Sequence, residues 1–425
     1  MVEIKPFKAI RYTEKAGDLK NLITQPYDKI DPSLQKEYYQ ASPYNFCRLI
    51  LPTEANRYAT VQQRIQQWMT QQVLAKDEEP SVFVYRQEFK LNGETCSRTG
   101  LIAALRLHAY DEKMIFPHEI TYSAPKTDRL NMLRSVQKDL EPVLLIYSDP
   151  ENLTVDFFAE VSKSHPIIKV EDSFGVQHTV WRLTDPAKMR HLQEAFQPKT
   201  LVITDGHHRY ESALAYRDEM RRAGKWTADS AFNFHMSMLV PIQDEGLTVL
   251  PTHRLLKNFK LTHTALETLG KFFNVSEIEA TAQGLDSFLA SHKDEHAFCI
   301  YTGAKAYGLL LKHDPSVYEF VAARSSKETK LFDVVILRDI IFKAILNIGE
   351  LKMDEDIIYA RWTREAVEKV DSGEASIAFL VNCVSPEVVW QIAQQGERLP
   401  EKSTDFYPKP ASGLVMMDIA PGEKL

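Results

Sequence analysis

The stretch TDGHHRYESAL, residues 204–214, follows the apolar run Leu201–Ile203 and changes its hydrophobic period at Gly206. A short apolar run predicts a buried strand, and the residues after Gly206 predict a helix that continues to about Arg222. The first N–H groups of a helix have no helical acceptor and carry partial positive charge, so a helix start binds phosphate readily. The stretch therefore predicts a strand-to-helix turn. That turn either binds an anion or is a polar connection with Asp205 as its N-cap.

The residue types in this turn favour the anion-binding interpretation. Gly206 lets the backbone come close to a ligand, and Arg209 offers a planar fork for phosphate oxygens. His207 and His208 supply donors, or a proton acceptor near neutral pH. Asp205 can hold Mg²⁺ or orient a histidine. A zinc site is not favoured, because two adjacent histidines are a poor chelating pair without a third ligand.

Composition sets the class of protein. The chain has 425 residues, of which 44% are hydrophobic and 26% are charged, which is typical of a soluble globular protein. The net charge of -7 argues against a general nucleic-acid binder. The four cysteines show no CxxC spacing, the first residues show no apolar signal segment, and no apolar run reaches 18 residues. We therefore expect a cytoplasmic protein with no membrane partner.

The order of apolar patterns predicts an α+β fold with mixed α/β character. A hairpin is predicted by the alternating runs SVFVYRQEFKL and TCSRTGLIAALRL on either side of Asn92-Gly93. Alternating helix and strand patterns continue beyond it, and a long amphipathic helix is predicted over 331–346. We predict three parts: a core with an N-terminal elaboration over 1–255, an α/β lobe over 256–395, and a tail over 396–425.

Several stretches together resemble a known family. TDGHHRYESALAYR looks like the signature of the ParB/sulfiredoxin-like superfamily, and the closest resemblance is to the family called domain of unknown function 1015. The resemblance covers nearly the whole chain and also includes QPYDKI, FPHEITYSAPKTDRL, LPTHR and PEKSTDFYPKPASGL. It implies a ParB/sulfiredoxin-like nucleotide-binding core with large insertions and an additional C-terminal α/β lobe. It also implies that the tail over 396–425 folds back on the core.

Free-serine kinases of this superfamily share an order of motifs with the chain. They have a PHE segment, a helix, a strand and then DGHHR, and here that order begins at Pro117-His118-Glu119 and, after an insertion, reaches Asp205. The resemblance implies that Glu119 is the base toward the acceptor hydroxyl and that the DGHHR segment holds nucleotide phosphates. It implies ATP or ADP as cofactor, with Mg²⁺.

Other residues are weaker candidates for the same site. Asp28 is a second candidate for the base, beside His118 in the PHE segment, and Lys402 and Lys409 in the tail are candidates for phosphate contact. Each has an ordinary structural alternative, such as a turn, a surface ion pair or a solvated terminus. The candidates for substrate contact are Tyr27, Arg48, Arg129, His253 and Arg254.

Three functions of different classes are consistent with the sequence. The first is a nucleotide-dependent phosphotransferase for the hydroxyl of a small amino acid, with free L-serine as the best guess. The second is a ParB-like nucleotide-binding switch on DNA, for which we find no convincing helix-turn-helix and no basic surplus. The third is a non-catalytic metabolite sensor that uses the same pocket.

Overall fold

The computed structural model describes residues 1–91, 93–120, 123–312, 332–349, 351, 355–400 and 402–425. The chain divides into two compact units. Unit 1 comprises Met1–Pro117, Thr121–Thr248 and Pro408–Leu425, and unit 2 comprises His118–Ile120 and Val249–Tyr407. The boundary between the units lies at 248/249 where the sequence predicted 255/256. The predicted tail is divided, because its first part belongs to unit 2 and its last 18 residues to unit 1.

Unit 1 is built on a mixed sheet with nine strands in the described part of the chain. Two of its strand pairs are parallel and the others are antiparallel. The short strand Ile4–Lys5 pairs with Glu94–Arg106 but is not part of the main strand order. That order is Ile115–Pro117, Leu201–Asp205, Val143–Tyr147, Phe234–Pro241, Glu94–Arg106, Val82–Leu91, Gln177–Leu183 and Ile168–Glu171.

The strands of this sheet follow the apolar patterns of the sequence. Leu201–Asp205 and Val143–Tyr147 are buried at every position, as expected for strands covered on both faces. The predicted hairpin is present as the antiparallel pair Val82–Leu91 and Glu94–Arg106. Asn92, the first residue of its predicted turn, lies outside the described residues.

Helices and short strand pairs complete unit 1. Ser123–Val136 packs against His207–Arg222 and against Arg57–Thr70. Ile10–Tyr12 pairs with Leu74–Lys76, and Lys138–Asp139 pairs with Met417–Asp418. The described α-helices of this unit are Pro32–Ala41, Cys47–Ile50, Arg57–Thr70, Ser123–Val136, Leu153–Val161, Pro186–Phe196 and His207–Arg222. The 3₁₀ turns are Glu14–Ala16, Leu19–Asn21, Tyr27–Lys29, Tyr110–Glu112 and Ala231–Asn233.

Unit 2 has an antiparallel sheet with six strands among the described residues. Its order is Phe273–Ile278, Ala306–Leu311, Ala297–Tyr301, Ile377–Val381, His253–Leu256 and Ile357–Ala360. The described helices are His263–Phe272, Ala282–Ser291, Asp333–Val335, Ile336–Ile345, Thr363–Asp371 and Pro386–Gln394. Two further strands are Thr248–Leu250, which begins at the unit boundary, and Asp405–Tyr407.

The long helix predicted over 331–346 differs from the expectation in its winding. It begins at Asp333 and continues as a π-helix from Ile336 to Ile345, and most of its apolar side chains are buried in the core of unit 2. Residue 331 lies outside the described residues. The mixed α/β class is confirmed by the two sheets and the helices around them. Among the described helices, none has the length and apolar character that crossing a membrane requires.

Candidate functional site

The predicted turn forms at the end of the strand Leu201–Asp205. Gly206 has φ +87°, a conformation that residues with a side chain rarely adopt, and the helix His207–Arg222 begins directly after it. The helix has no side-chain N-cap, and its first helical hydrogen bond joins the Tyr210 amide to the Gly206 carbonyl. The alternative in which the turn is only a polar connection predicted Asp205 as the N-cap of this helix. The carboxylate of Asp205 does not cap the helix in the structure.

The carboxylate of Asp205 is buried and lies between two cations. Its Oδ2 is 2.5 Å from Arg209 Nη2, and its Oδ1 is 2.7 Å from Lys409 Nζ. Burial alone would raise the pKa of Asp205, but the charges of Lys409 and then Arg209 outweigh burial and hold the pKa below its ordinary value. Lys29 adds a weaker effect of the same sign. Asp205 is therefore an ionised carboxylate with two positive charges in contact.

Arg209 is held against the glycine of the turn. One terminal nitrogen donates to the Pro142 carbonyl and the other to Asp205. A Cβ added to Gly206 would lie 2.9 Å from Arg209 Nε, so the missing side chain makes room for the guanidinium. Arg209 Nε is buried and has no hydrogen-bond partner among the described residues. His207 is buried and His208 is half-buried, both in the first turn of the helix.

Lys409 reaches Asp205 because the tail is fixed to unit 1. Gln87 donates from Nε2 to the Lys409 carbonyl at 2.9 Å, and the Ala411 amide donates to the Tyr85 hydroxyl at 3.2 Å. The Ser412 amide and carbonyl pair with Thr24, so the chain on either side of Lys409 is held in place.

A second group of predicted residues in unit 1 surrounds Glu141. The Tyr27 amide donates to Glu141 Oε1 at 3.0 Å, and Ser412 Oγ donates to the same oxygen at 2.9 Å. The Arg129 guanidinium lies over the Tyr27 ring, 4.1 Å from its centre. Burial raises the pKa of Glu141, and the charges of Arg209 and Arg129 offset part of that rise. Glu141 is a site residue that the sequence reasoning missed, because a Glu before Pro142 has no distinctive motif.

Asp28 belongs to the same electrostatic group. It lies on the 3₁₀ turn Tyr27–Lys29, and its charge acts on Arg209, Tyr27 and Glu141. The structure therefore brings Tyr27, Asp28 and Arg129 into the surroundings of the turn. Substrate contact by Tyr27 stays a prediction.

Two predicted substrate arginines in unit 1 have their donors engaged within the protein. Arg129 donates to Asp128 through Nε and Nη2 and to the Ile50 carbonyl through Nη1. Arg48 donates to the carbonyls of Ser42 and Tyr39 and lies over the Tyr39 ring. Two of the three nitrogens of the Arg129 guanidinium are therefore used by Asp128. Substrate contact by either residue stays a prediction.

The PHE segment belongs to unit 2 and forms a separate polar cluster. Glu119 Oε1 accepts from the amides of Ser403 and Thr404 at 3.1 and 3.2 Å, and from Thr404 Oγ1 at 3.3 Å. His118 is buried, and its Nε2 lies 2.7 Å from Thr404 Oγ1. Glu119 is thus held at one oxygen by backbone and hydroxyl donors.

Arg254 and Lys402 lie in the same unit. Arg254 donates to the Thr252 carbonyl at 2.9 Å and to the Lys402 carbonyl at 3.4 Å. Burial lowers the pKa of Arg254, and the charges of Tyr359 and Glu119 oppose that effect. The backbone of Lys402 has φ +56°. Lys402 and Lys409, predicted together as phosphate contacts, therefore belong to different units.

His253 is a core histidine in this structure. It is 1% exposed, and its Nδ1 accepts from the Val381 amide at 3.4 Å. Burial, with a smaller contribution from Arg254, lowers the pKa of His253 to about 3. The prediction that His253 contacts a substrate finds no support in this environment.

The described residues contain no group of three or more His, Cys, Asp or Glu side chains placed to hold a metal ion. Asp205, the predicted Mg²⁺ ligand, has both oxygens occupied by cations. The Mg²⁺ prediction at Asp205 finds no support in this geometry.

The fold and the turn define a mixed α/β protein with a strand-to-helix turn that places two cations on a buried carboxylate. The chain belongs to the family described as "Protein of unknown function (DUF1015)", which it matches over residues 4–335. The resemblance seen in the sequence is thereby confirmed at the level of the family. A search of the curated proteins gave no match.

Among solved structures, the chain is similar to a free serine kinase in complex with AMP, at 14% identity, with 73% of this chain and 90% of that chain covered and a TM-score of 0.36. A variant of a free serine kinase in complex with ADP has 14% identity, coverages of 73% and 91%, and a TM-score of 0.37. A conserved hypothetical protein from Pyrococcus furiosus has 15% identity, coverages of 71% and 92%, and a TM-score of 0.33. These values are too low to transfer an activity or a ligand to this chain.

We predict that Gly206→Ala destabilises unit 1 more than Gly224→Ala. Both glycines have positive φ, and an alanine in this region costs about 1–2 kcal/mol of conformational energy. A Cβ at Gly224 meets nothing within 4 Å, whereas one at Gly206 meets the Arg209 guanidinium. Urea unfolding measures both free energies, and equal losses in the two variants would show that Gly206 is required only for its φ.

We predict that His253 makes the stability of unit 2 depend on pH. Its pKa in the folded chain is about 3, against about 6.5 when unfolded, so below about pH 6.5 the unfolded chain binds one more proton. Stability is therefore complete above the unfolded pKa and falls as pH decreases, by up to about 1.4 kcal/mol per pH unit.

The variant that tests this effect is His253→Asn, which keeps an acceptor for the Val381 amide and does not titrate. Between about pH 7 and 5 its unfolding free energy is expected to fall less steeply than that of the wild type. His263→Asn, at an exposed histidine, is the matched control and should leave the slope unchanged. Identical slopes for wild type and His253→Asn would contradict the assignment.

Proposed function

We propose that the chain is a nucleotide-dependent phosphotransferase that acts on the hydroxyl of a small amino acid, with ATP or ADP as donor and free L-serine as the first candidate acceptor. The observation that carries the proposal is the turn at Gly206, where Arg209 and Lys409 contact one carboxylate, that of Asp205. Arg209 and Lys409 place positive charge beside a helix start that has no side-chain cap. A nucleotide phosphate is the natural partner of that arrangement.

The chemistry of the proposal is phosphoryl transfer, which depends mainly on positioning and on neutralising phosphate charge. The acceptor hydroxyl oxygen forms a bond to the terminal phosphorus of the nucleotide, and the bond from that phosphorus to the bridging oxygen breaks. The hydroxyl proton passes to a carboxylate. We assign that role to Glu119 on the order of the PHE and DGHHR motifs in the sequence, which also supports the ParB/sulfiredoxin-like core and the choice of L-serine.

Two residues in this proposal are each fixed by hydrogen bonds within their own unit. In unit 1, Arg209 is kept in place by the Pro142 carbonyl and by Asp205, so it offers positive charge in a fixed position. In unit 2, Glu119 is 14% exposed at its side chain and has its Oε1 fixed by three donors. Mg²⁺, where it takes part, would neutralise phosphate charge. Because the described residues form no cage for it, it would bind mainly through the nucleotide.

The test of phosphate binding is Lys409→Gln. This variant removes the proposed charge-assisted contact between the Lys409 ammonium and a nucleotide phosphate. It is expected to weaken ADP binding by about 1.5–3 kcal/mol, or roughly ten- to a hundredfold in Kd. The measurement is titration calorimetry of the full chain with ADP, and with adenosine to isolate the phosphate contribution. Lys188→Gln is the matched control, because Lys188 is exposed and forms only a surface ion pair with Glu160. An ADP affinity that is the same in the folded Lys409→Gln variant and in the wild type would remove the proposal's main support.

The test of the base is Glu119→Gln, which keeps the size of the side chain and its acceptor oxygen. Loss of a general base typically lowers the rate about 10²–10⁴-fold. We expect that loss in single-turnover transfer from ATP or ADP to L-serine, followed by mass, with nucleotide Kd little changed. A variant that transfers phosphate at the wild-type rate would return Glu119 to a structural role beside Ser403 and Thr404.

A further inference from the structure

Unit 1 contains a small pocket with a polar lining that the proposed phosphate site leaves unexplained. The pocket has about 40 Å³ of space, and it is lined in part by apolar Met132, Leu133 and Leu140. Its other lining residues are polar: Arg129, Lys138, Asp139, Glu141, Arg209 and His235. Arg209 therefore faces both this pocket and the turn at Gly206.

Two charged side chains in this lining each have one buried atom without a protein partner in the described part of the chain. Asp139 is 2% exposed; its Oδ2 accepts from the Met236 amide at 2.9 Å, and its Oδ1 has no hydrogen bond. Arg209 is 7% exposed, and its Nε is likewise without a partner. Buried polar atoms are rarely left in this state, because an unmade hydrogen bond costs the full desolvation of the group.

His235 lies beside Asp139 in this lining. Its Nδ1 donates to the Met236 carbonyl at 2.7 Å, so in the neutral ring the lone pair is at Nε2. That nitrogen lies 3.7 Å from Asp139 Oδ1. Burial lowers the pKa of His235 and raises the pKa of Asp139, and in each case the partner's charge offsets part of the effect. When the His235 ring is neutral, neither of its nitrogens therefore donates a hydrogen bond to Asp139 Oδ1.

The two unpartnered atoms define the chemistry of a ligand. Asp139 Oδ1 needs a donor and Arg209 Nε needs an acceptor, and a hydroxyl group supplies both functions. A phosphate or carboxylate would accept from Arg209 but would meet the carboxylate of Asp139 with like charge. The pocket has room for a few waters, so a small polar group such as a hydroxymethyl group fits.

We propose that this pocket is the subsite for the hydroxymethyl group of a small acceptor, with Asp139 and Arg209 as its binding residues. The proposal deepens the proposed function and rests on it, because it names the pocket that holds the acceptor hydroxyl before its proton passes to the base. Both atoms are buried without a hydrogen-bond partner among the described residues, so a ligand of the same shape without the hydroxyl leaves them unpaired. Discrimination by hydroxyl, and not by size, is the property that follows.

The experiment is calorimetry of the full chain with L-serine and L-alanine, which differ only in the hydroxyl, at saturating ADP. We expect L-serine to bind at least about tenfold more tightly than L-alanine. Asp139→Asn keeps an oxygen for the Met236 amide and replaces the unpaired acceptor by a donor, so it should remove most of that difference. Asp229→Asn, at an exposed carboxylate paired with Lys424, is the matched control and should keep it.

A second variant keeps the proposal testable if Asp139→Asn does not fold. Leu133→Phe alters no polar group and reduces the space of the pocket, so it should weaken L-serine binding while ADP binding persists. Equal affinities for L-serine and L-alanine, no binding of L-serine, or an unchanged preference in both variants would overturn the proposal and leave a pocket for water.

Failure of the proposed function gives a different result, because nucleotide binding is measured separately in the same preparation. Absence of ADP binding together with a preference for L-serine, measured without nucleotide and lost in Asp139→Asn, would refute the phosphotransferase and retain the hydroxyl subsite. ADP binding that depends on Lys409 without any preference for L-serine would do the reverse.

Discussion

The contact on which the rest of unit 1 depends is the buried carboxylate of Asp205 between Arg209 and Lys409. A buried charge is costly unless it is paired, so both cations must be held where they reach it. Arg209 is held by the Pro142 carbonyl and by the space that Gly206 leaves, and Lys409 is held by a tail that is hydrogen-bonded to the sheet. The strand, the left-handed glycine, the helix start and the C-terminal segment are therefore parts of one arrangement.

The local part of this arrangement could be predicted from the sequence. The strand Leu201–Asp205 and the helix His207–Arg222 agree with the predicted boundaries, because hydrophobic period and a glycine at the junction are local signals. The contact of Lys409 with Asp205 was not predictable from local pattern, since it joins residues far apart in the chain. Only the family resemblance suggested that the tail folds back, and it did not identify which lysine would meet which carboxylate.

What could not be predicted from the sequence has a common physical cause. His253 and Arg48 were chosen for their chemistry, and the structure shows what that chemistry is used for: a buried neutral ring in one case and backbone carbonyls in the other. Glu141 and Asp139 were overlooked because nothing in their immediate sequence distinguishes them from surface carboxylates. Burial, which decides between these roles, depends on strands that come from distant segments. The PHE and DGHHR motifs also belong to different units, so the sequence order that relates them has to be tested by kinetics.

The central claim is that the turn at Gly206 receives nucleotide phosphate, and amide resonances of the isotope-labelled chain test it most directly. On titration with ADP, the account predicts that the amides of Gly206, His207, His208 and Arg209 shift together and saturate with one Kd. Adenosine, which has no phosphate, should leave them nearly unchanged, because the helix start and its two cations interact with charge. Shifts of equal size with adenosine, or an ADP effect confined to residues away from this turn, would contradict the account.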